Sequence, residues 1–203
     1  MASRSRILIL FAHPAVQKSR INRRLAEAAR AVDGVTWHDL YEAYPDFDID
    51  VPREQAQLVG HDIVVLQHPF YWYSCPALMK EWLDLVLEHG FAYGNEGHRL
   101  HGKTLVSALT TGGPERAYAH EGRNHFTVRE LLAPFEQTAL LCGMHWLPPF
   151  VVHDTVHLTR AADLDRYAAE YARVLAGLRD GRITIANAAA LPRLNHDLAA
   201  LGL

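Results

Sequence analysis

Short, wholly apolar runs alternate along this chain with longer stretches whose apolar residues recur at helical spacing. The first run, residues 7–12, has no polar position and stops at His13-Pro14, which predicts a strand buried on both faces and ended by proline. Ser19 can cap a helix running to about Val32, and Asp33-Gly34 closes it. Residues 35–40 predict a shorter strand and 52–59 a helix with Pro52 in its first turn. A second apolar strand over 63–67 again ends in His-Pro, at His68-Pro69. Between Pro76 and His89, the residues Leu78, Trp82, Leu85 and Val86 share one helical face. A third apolar strand, 104–109, opens into Thr110-Thr111-Gly112-Gly113-Pro114. Residues 126–141 predict a helix that Pro134 kinks or breaks. A last strand within 144–152 is interrupted by Pro148-Pro149, which restricts it to an edge or to short pieces. Residues 164–179 close the pattern as a helix.

Strands alternating with helices imply an α/β fold: a doubly wound five-stranded parallel sheet with helices on both faces. With no repeat or linker, residues 1–203 read as one domain whose core covers about 6–180. Beyond Gly181, the Ala/Leu-rich tail 186–203 reads either as a docking helix or as a frayed terminus. An apolar share of 49% over 203 residues can bury one sizeable core, and a net charge of −3 offers no pull toward nucleic acid. Two cysteines, Cys75 and Cys142, are too few for a disulfide framework and suit a reducing cytoplasm. The stretch 1–13 is too short in its apolar part for a signal peptide, and no run approaches the roughly 18 residues that span a bilayer. The expectation is a cytoplasmic protein, peripheral on the inner membrane only through a partner.

Ligands of open parallel sheets bind beyond the carboxyl ends of the strands, and four unusual segments lie just after apolar strands. In 13–22, a donor-rich loop opens a helix, and His13, Ser19 and Asn22, with the charges of Lys18 or Arg20, can hold a phosphate at its N-terminus. The same Ser19 would serve equally as a plain cap. The segment is neither a Walker loop nor GxGxxG, which argues against nucleotide triphosphates and the usual dinucleotide site. In 69–76, Phe70, Tyr71, Trp72 and Tyr73 lie between prolines, where they suit a planar ring system or else plug the top of the core. The third is Thr110-Thr111-Gly112-Gly113, whose glycines allow backbone to approach a ligand closely. The acidic and aromatic segment 41–50 reads as a solvated connection or a partner surface. Spacings at His98/His101 and His153/His157 lack a completing cluster, so no metal is expected. Cys75 reads as a packed thiol, and Trp82 and Trp146 as core.

Taken together, Ile7-Leu-Ile-Leu-Phe-Ala-His-Pro14, Leu40-Tyr-Glu-Ala-Tyr-Pro-Asp-Phe-Asp-Ile-Asp50, Gln67-His-Pro-Phe-Tyr-Trp-Tyr-Ser-Cys-Pro76, Lys80-Glu-Trp-Leu-Asp84, Gly90-Phe-Ala-Tyr-Gly94, Thr110-Thr-Gly-Gly113 and Cys142-Gly-Met-His-Trp-Leu-Pro-Pro-Phe150 are recognisable. The chain resembles the flavodoxin-like NAD(P)H:quinone oxidoreductase family, and within it the ancillary flavoproteins of glutathione-regulated potassium-efflux systems. The resemblance implies FMN rather than FAD, NAD(P)H as co-substrate, a quinone-type acceptor and two-electron hydride transfer in a ping-pong cycle. It places His13, Ser19, Arg20, Ile21 and Asn22 on the FMN phosphate. Phe70, Tyr71, Trp72 and Tyr73 would cradle the ring, with Thr110, Thr111, Gly112 and Gly113 at its other edge. Tyr71 stands where the closer branch usually has glutamine. Tyr118 matches the family's tyrosine that bonds the quinone oxygen, while His120 and His125 compete for the accompanying histidine. The family implies a homodimer with its site at the subunit interface, and the branch implies a potassium/proton antiporter as partner. The tail 186–203 runs past the usual end of the family.

Overall fold

A computed structural model describes residues 4–203, so the first three residues of the leader stretch lie outside the described residues. Strands β1 (Ile7–Phe11), β3 (Ile63–Pro69) and β4 (Thr104–Thr110) are almost wholly buried, as runs without polar alternation require when both faces are covered. β2 (Val35–Asp39) forms one edge and is only partly buried. The last strand is split in two: β5 (His145–Trp146) and β6 (Phe150–Val152) both pair with β4. Pro148-Pro149 lies between them, where a missing N–H breaks the ladder. All pairings are parallel, and the order is β2-β1-β3-β4-β5 with β6 also on β4. Strand order reverses beside β1, and that is where an open sheet leaves a crevice at its carboxyl edge.

Helices α1 (Arg20–Arg30) and α7 (Ala161–Arg179) cover one face. α3 (Val51–Gly60), α4 (Ala77–Val86), α5 (Val128–Leu131) and α6 (Ala133–Leu141) cover the other. The break between α5 and α6 falls at Leu132, two residues before Pro134, whose ring rejects the preceding helical turn. Three expectations change. The segment 41–50 is not wholly irregular: α2 (Leu40–Ala43) makes one turn, capped by the Asp39 carboxylate on the amides of Tyr41 and Glu42. The helix expected to reach His89 stops at Val86. The tail is neither a long docking helix nor frayed. It makes one turn, α8 (Ile185–Ala188), then packs Leu194 and Leu201 into the α1/α7 side of the core.

Trp82 is core as expected, whereas Trp146 is only partly buried. Trp82 donates its indole N–H to Glu54, a fully buried carboxylate that also accepts from Tyr44, His38 and Gln57. This network ties the 41–50 segment, through Tyr44, to α3 and α4.

Candidate functional site

At the carboxyl edge beside the strand-order reversal lies a cavity of about 480 Å³ lined by His13, Ala15, Lys18, Ser19, Arg20, Ile21 and Asn22 from the loop after β1. Pro69, Phe70 and Tyr71 line it from β3 and its loop, Thr110 and Gly112 from the end of β4, and Thr155 with Val156 from beyond β6. Loops far apart in sequence meet here because parallel strands discharge their connections onto one rim.

The first wall is a donor-rich loop that opens a helix. Ser19 caps α1, its Oγ accepting from the Asn22 backbone N–H at 3.3 Å and the Asn22 side-chain amide at 3.0 Å. With both lone pairs engaged, the Ser19 O–H is free to donate. The amide of Asn22 also donates to Thr110 Oγ1 at 3.0 Å, joining this loop to the end of β4. Its Oδ1 is buried with no partner among the described residues. His13 is buried, and desolvation lowers its pKa, only partly opposed by a backbone hydrogen bond. Its Nδ1 accepts the Ala15 N–H at 3.1 Å, so the neutral ring carries its proton on Nε2 and donates from there. Helical geometry leaves first-turn amides such as those of Arg20 and Ile21 without intrahelical acceptors. Neutral donors, free amides and the nearby cations together suit a phosphate.

The second wall is flat and aromatic, but it uses fewer rings than the four singled out in the sequence. Phe70 and Tyr71 line the cavity, whereas Trp72 is 93% exposed and Tyr73 about half exposed. Trp72 and Tyr73 sit at φ values of 50° and 61° in the tight turn that pairs Tyr71 with Ser74. Left-handed backbone at two bulky residues costs about 1–2 kcal/mol each; the Trp72 ring stands in solvent, while the Tyr73 ring meets buried Phe70 edge to face, with centroids 6.4 Å apart. The Tyr73 hydroxyl reaches Asn124 at 3.2 Å.

The third wall is the 110–113 loop. The Phe70 N–H donates to the Thr110 carbonyl at 2.9 Å, and Thr111 N–H to the Val152 carbonyl at 2.9 Å. Asp154 and Thr155 amides close back on Gly113 and Thr111 at 3.0 Å each. Thr111 itself is buried, and neither it nor Gly113 lines the cavity.

Tyr118 lies on the far side of that loop, with its ring 3.4 Å from where a Gly113 side chain would start. Burial raises its phenol pKa, so it stays a proton donor. Of its two expected companions, exposed His120 turns toward Glu130 at 3.5 Å, and exposed His125 sits at φ 59°. The histidine beside Tyr118 is His153, with ring centroids 5.5 Å apart. Thr111 Oγ1 lies 2.9 Å from the Gly113 carbonyl and 3.1 Å from His153 Nδ1, so this hydroxyl joins the loop to that imidazole. Burial pushes its pKa down to about 4. His153, Thr155 and Val156 carried a signal that was available in the sequence: they follow the last strand and must therefore reach the same rim. His157, at metal-like spacing from His153, contacts Asp154 at 2.7 Å. His98 and His101 contact each other at 3.3 Å on the surface.

Comparison with known proteins agrees with this geometry. A family model described as flavodoxin-like fold matches residues 5–175. The glutathione-regulated potassium-efflux system ancillary protein KefG of Enterobacter sp. (strain 638) is 51% identical over 153 residues, 75% of this chain and 84% of that protein. Among solved structures, general stress protein 14 of Treponema denticola, in complex with FMN, superposes with a TM-score of 0.80 at 39% identity, covering 85% of this chain and 99% of that one. An NADPH-quinone reductase from P. pentosaceus gives a TM-score of 0.75 at 34% identity, covering 83% and 96%. The chain belongs to the flavodoxin-like fold family, in the company of the potassium-efflux ancillary proteins and the NAD(P)H quinone reductases.

Proposed function

We propose that this protein is an FMN-dependent NAD(P)H:quinone oxidoreductase. The observation that carries the reading is the single cavity that joins an anion cradle to an aromatic wall at the strand-order reversal. FMN is the phosphorylated planar heterocycle that such a slot fits, and the FMN complex of the Treponema denticola relative supports the choice. The orphaned Asn22 Oδ1 is a further point of fit, since a buried acceptor suits a ligand hydroxyl. Ser19, His13 and the first amides of α1 would hold the phosphate; Phe70 and Tyr71 would flank the ring.

Bound FMN supplies two-electron chemistry, by which NAD(P)H, a proton and a quinone become NAD(P)⁺ and a hydroquinone in a ping-pong cycle. The chain's own part is to bind, orient and donate. Neutral donors in the cradle would hydrogen-bond the phosphate oxygens without requiring a particular pH. Tyr118, kept protonated by burial, donates to the acceptor oxygen as charge develops there. The 110–113 loop, pinned on both sides by backbone hydrogen bonds, holds that geometry rigid.

The test is to purify the protein, release its cofactor by heat and identify it by chromatography, then follow NAD(P)H oxidation with and without a quinone. Yellow protein, released FMN and quinone-dependent turnover are expected; colourless protein that takes up no added flavin refutes the assignment.

One observation favours a second, compatible reading. The 51% identity to KefG supports a role as ancillary subunit of a potassium-efflux system, and we propose that it acts there as a homodimer on an inner-membrane antiporter. No helix among the described residues is long and apolar enough to cross a membrane. The 41–50 segment, fixed by Tyr44 to the buried Glu54, is the contact surface we assign. Reversing the charges of Asp46 and Asp48 should abolish pull-down by the antiporter's cytoplasmic domain while leaving flavin content intact.

A further inference from the structure

Three walls of the 480 Å³ cavity have a task in holding a flavin; a fourth, the segment between β6 and α7, has none, yet it contributes Thr155 and Val156 to the lining. Its backbone is fixed onto the end of β4. The Thr111 N–H donates to the Val152 carbonyl at 2.9 Å, the Thr155 N–H returns to the Thr111 carbonyl at 3.0 Å, and the Asp154 N–H reaches the Gly113 carbonyl at 3.0 Å. Asp154 holds a left-handed φ of 59°. Its carboxylate meets His157 Nδ1 at 2.7 Å, and its carbonyl accepts the His157 N–H at 3.0 Å. Left-handed backbone at a residue other than glycine persists where surrounding contacts over-determine it, and such spots gather at ligand clamps. The segment is a braced turn that presents Thr155 and Val156 to the cavity.

The fold itself makes little use of either side chain. Thr155 is half-buried, and no hydrogen bond among the described residues engages its hydroxyl. Val156 is 67% exposed, with one methyl 3.7 Å from where a side chain on Gly112 would begin. A lone exposed valine on open surface needs no explanation, but this one stands at the lip of a cavity whose floor is Gly112. The connections from β1 to α1 and from β6 to α7 leave toward the same face of the sheet. Thr155 therefore shares the cavity with the start of α1 across the end of β4, where the Asn22 amide reaches Thr110 at 3.0 Å. That lining includes two cations, Lys18 and Arg20, and no carboxylate. In such surroundings the natural partner of an unengaged hydroxyl donor is an anion.

We infer that the segment 153–157 is a fixed fourth arm of the flavin site: Thr155 donates its hydroxyl to the phosphate, and Val156 covers the ligand where it lies against Gly112. This rests on the FMN reading. The experiment titrates flavin-stripped wild type, Thr155→Val, Thr155→Ser and Val156→Ala with FMN and with riboflavin, and follows FMN release from the loaded proteins by the rise in flavin fluorescence on dilution. Thr155→Val keeps the shape and removes the hydroxyl. It should raise the Kd for FMN about tenfold, the worth of one charge-assisted hydrogen bond, leave riboflavin unchanged, and be restored by Thr155→Ser. Val156→Ala removes two methyl groups that the ligand would partly withdraw from water. It should raise the Kd for FMN and for riboflavin equally, by roughly threefold to tenfold, and speed FMN release by the same factor. An FMN Kd in Thr155→Val within about twofold of wild type overturns the inference, as does an equal loss of FMN and riboflavin in that variant. Unchanged FMN affinity and release in Val156→Ala overturns it too. Wild type that binds neither flavin refutes the FMN reading itself, and that is seen before any variant is compared.

Discussion

Replacing Glu54 tests the buried network that shapes the β2 side of the molecule. Its carboxylate is fully buried and accepts from His38 at 2.9 Å, Tyr44 at 2.5 Å, Trp82 at 2.8 Å and Gln57 at 3.2 Å. Burial alone would raise its pKa, but the hydrogen bonds from His38, Tyr44 and Trp82 outweigh burial and hold it below its ordinary value. Glu54→Leu fits the volume but strands the donors of Trp82, Tyr44 and His38 in a dry site. At about 1–3 kcal/mol for each unsatisfied group, the loss is roughly 5 kcal/mol, a large part of the 5–15 kcal/mol that holds a domain together. Glu54→Gln keeps one acceptor and can turn it to the indole, while the phenol and imidazole reorient; its loss is expected at about 2 kcal/mol. Urea unfolding followed by tryptophan fluorescence reads both, since Trp82 belongs to the network. The acid limb gives a second check. A depressed folded pKa means stability present above the unfolded value and lost as pH falls through the folded one, so Glu54→Gln should flatten that limb. A Glu54→Leu protein within 1 kcal/mol of wild type would refute the claim that this network is satisfied and dry.

Three further outcomes follow from the site. Ser19→Ala and His13→Ala should each weaken FMN about tenfold, the worth of one charge-assisted hydrogen bond, while leaving riboflavin affinity unchanged; equal losses for both ligands would remove the phosphate cradle. Tyr118→Phe should lower quinone kcat by at least tenfold with flavin retained, and unchanged steady-state rates would remove its donor role. His68 and His153 are both pushed down to about 4 by burial, so the unfolded chain binds protons that the folded one refuses. Stability should therefore fall as pH drops from 6.5 toward 4, by about 1.4 kcal/mol per pH unit for each histidine, and His153→Gln should remove one of these contributions in denaturation measured at pH 5 and 7.

Local pattern alone determined a good deal of this protein. Apolar runs without alternation required strands covered on both faces, and β1, β3 and β4 are buried along their length. Proline at 134 and at 148–149 required the breaks seen between α5 and α6 and between β5 and β6, because a missing N–H and a fixed ring act on immediate neighbours. The Ser19 cap and the start of α1 were legible for the same reason: cap, loop and helix N-terminus are consecutive. Other features depended on which loops become neighbours, and strand order decides that. Nothing near Trp72 and Tyr73 announces that the first ring stands in solvent while the second packs edge-on against Phe70. Nothing near Glu54 announces that it is enclosed by donors from β2, from the segment after α2, and from α4. His153 meets Tyr118 only because β6 lies beside β4, and the tail finds one of its anchors because β6 has a free edge for Asn195 to occupy. Dihedral preferences and hydrophobic period act over a few residues, so they shape the elements. Burial and pairing at the rim arise between segments dozens of positions apart, and only the packed sheet brings those together.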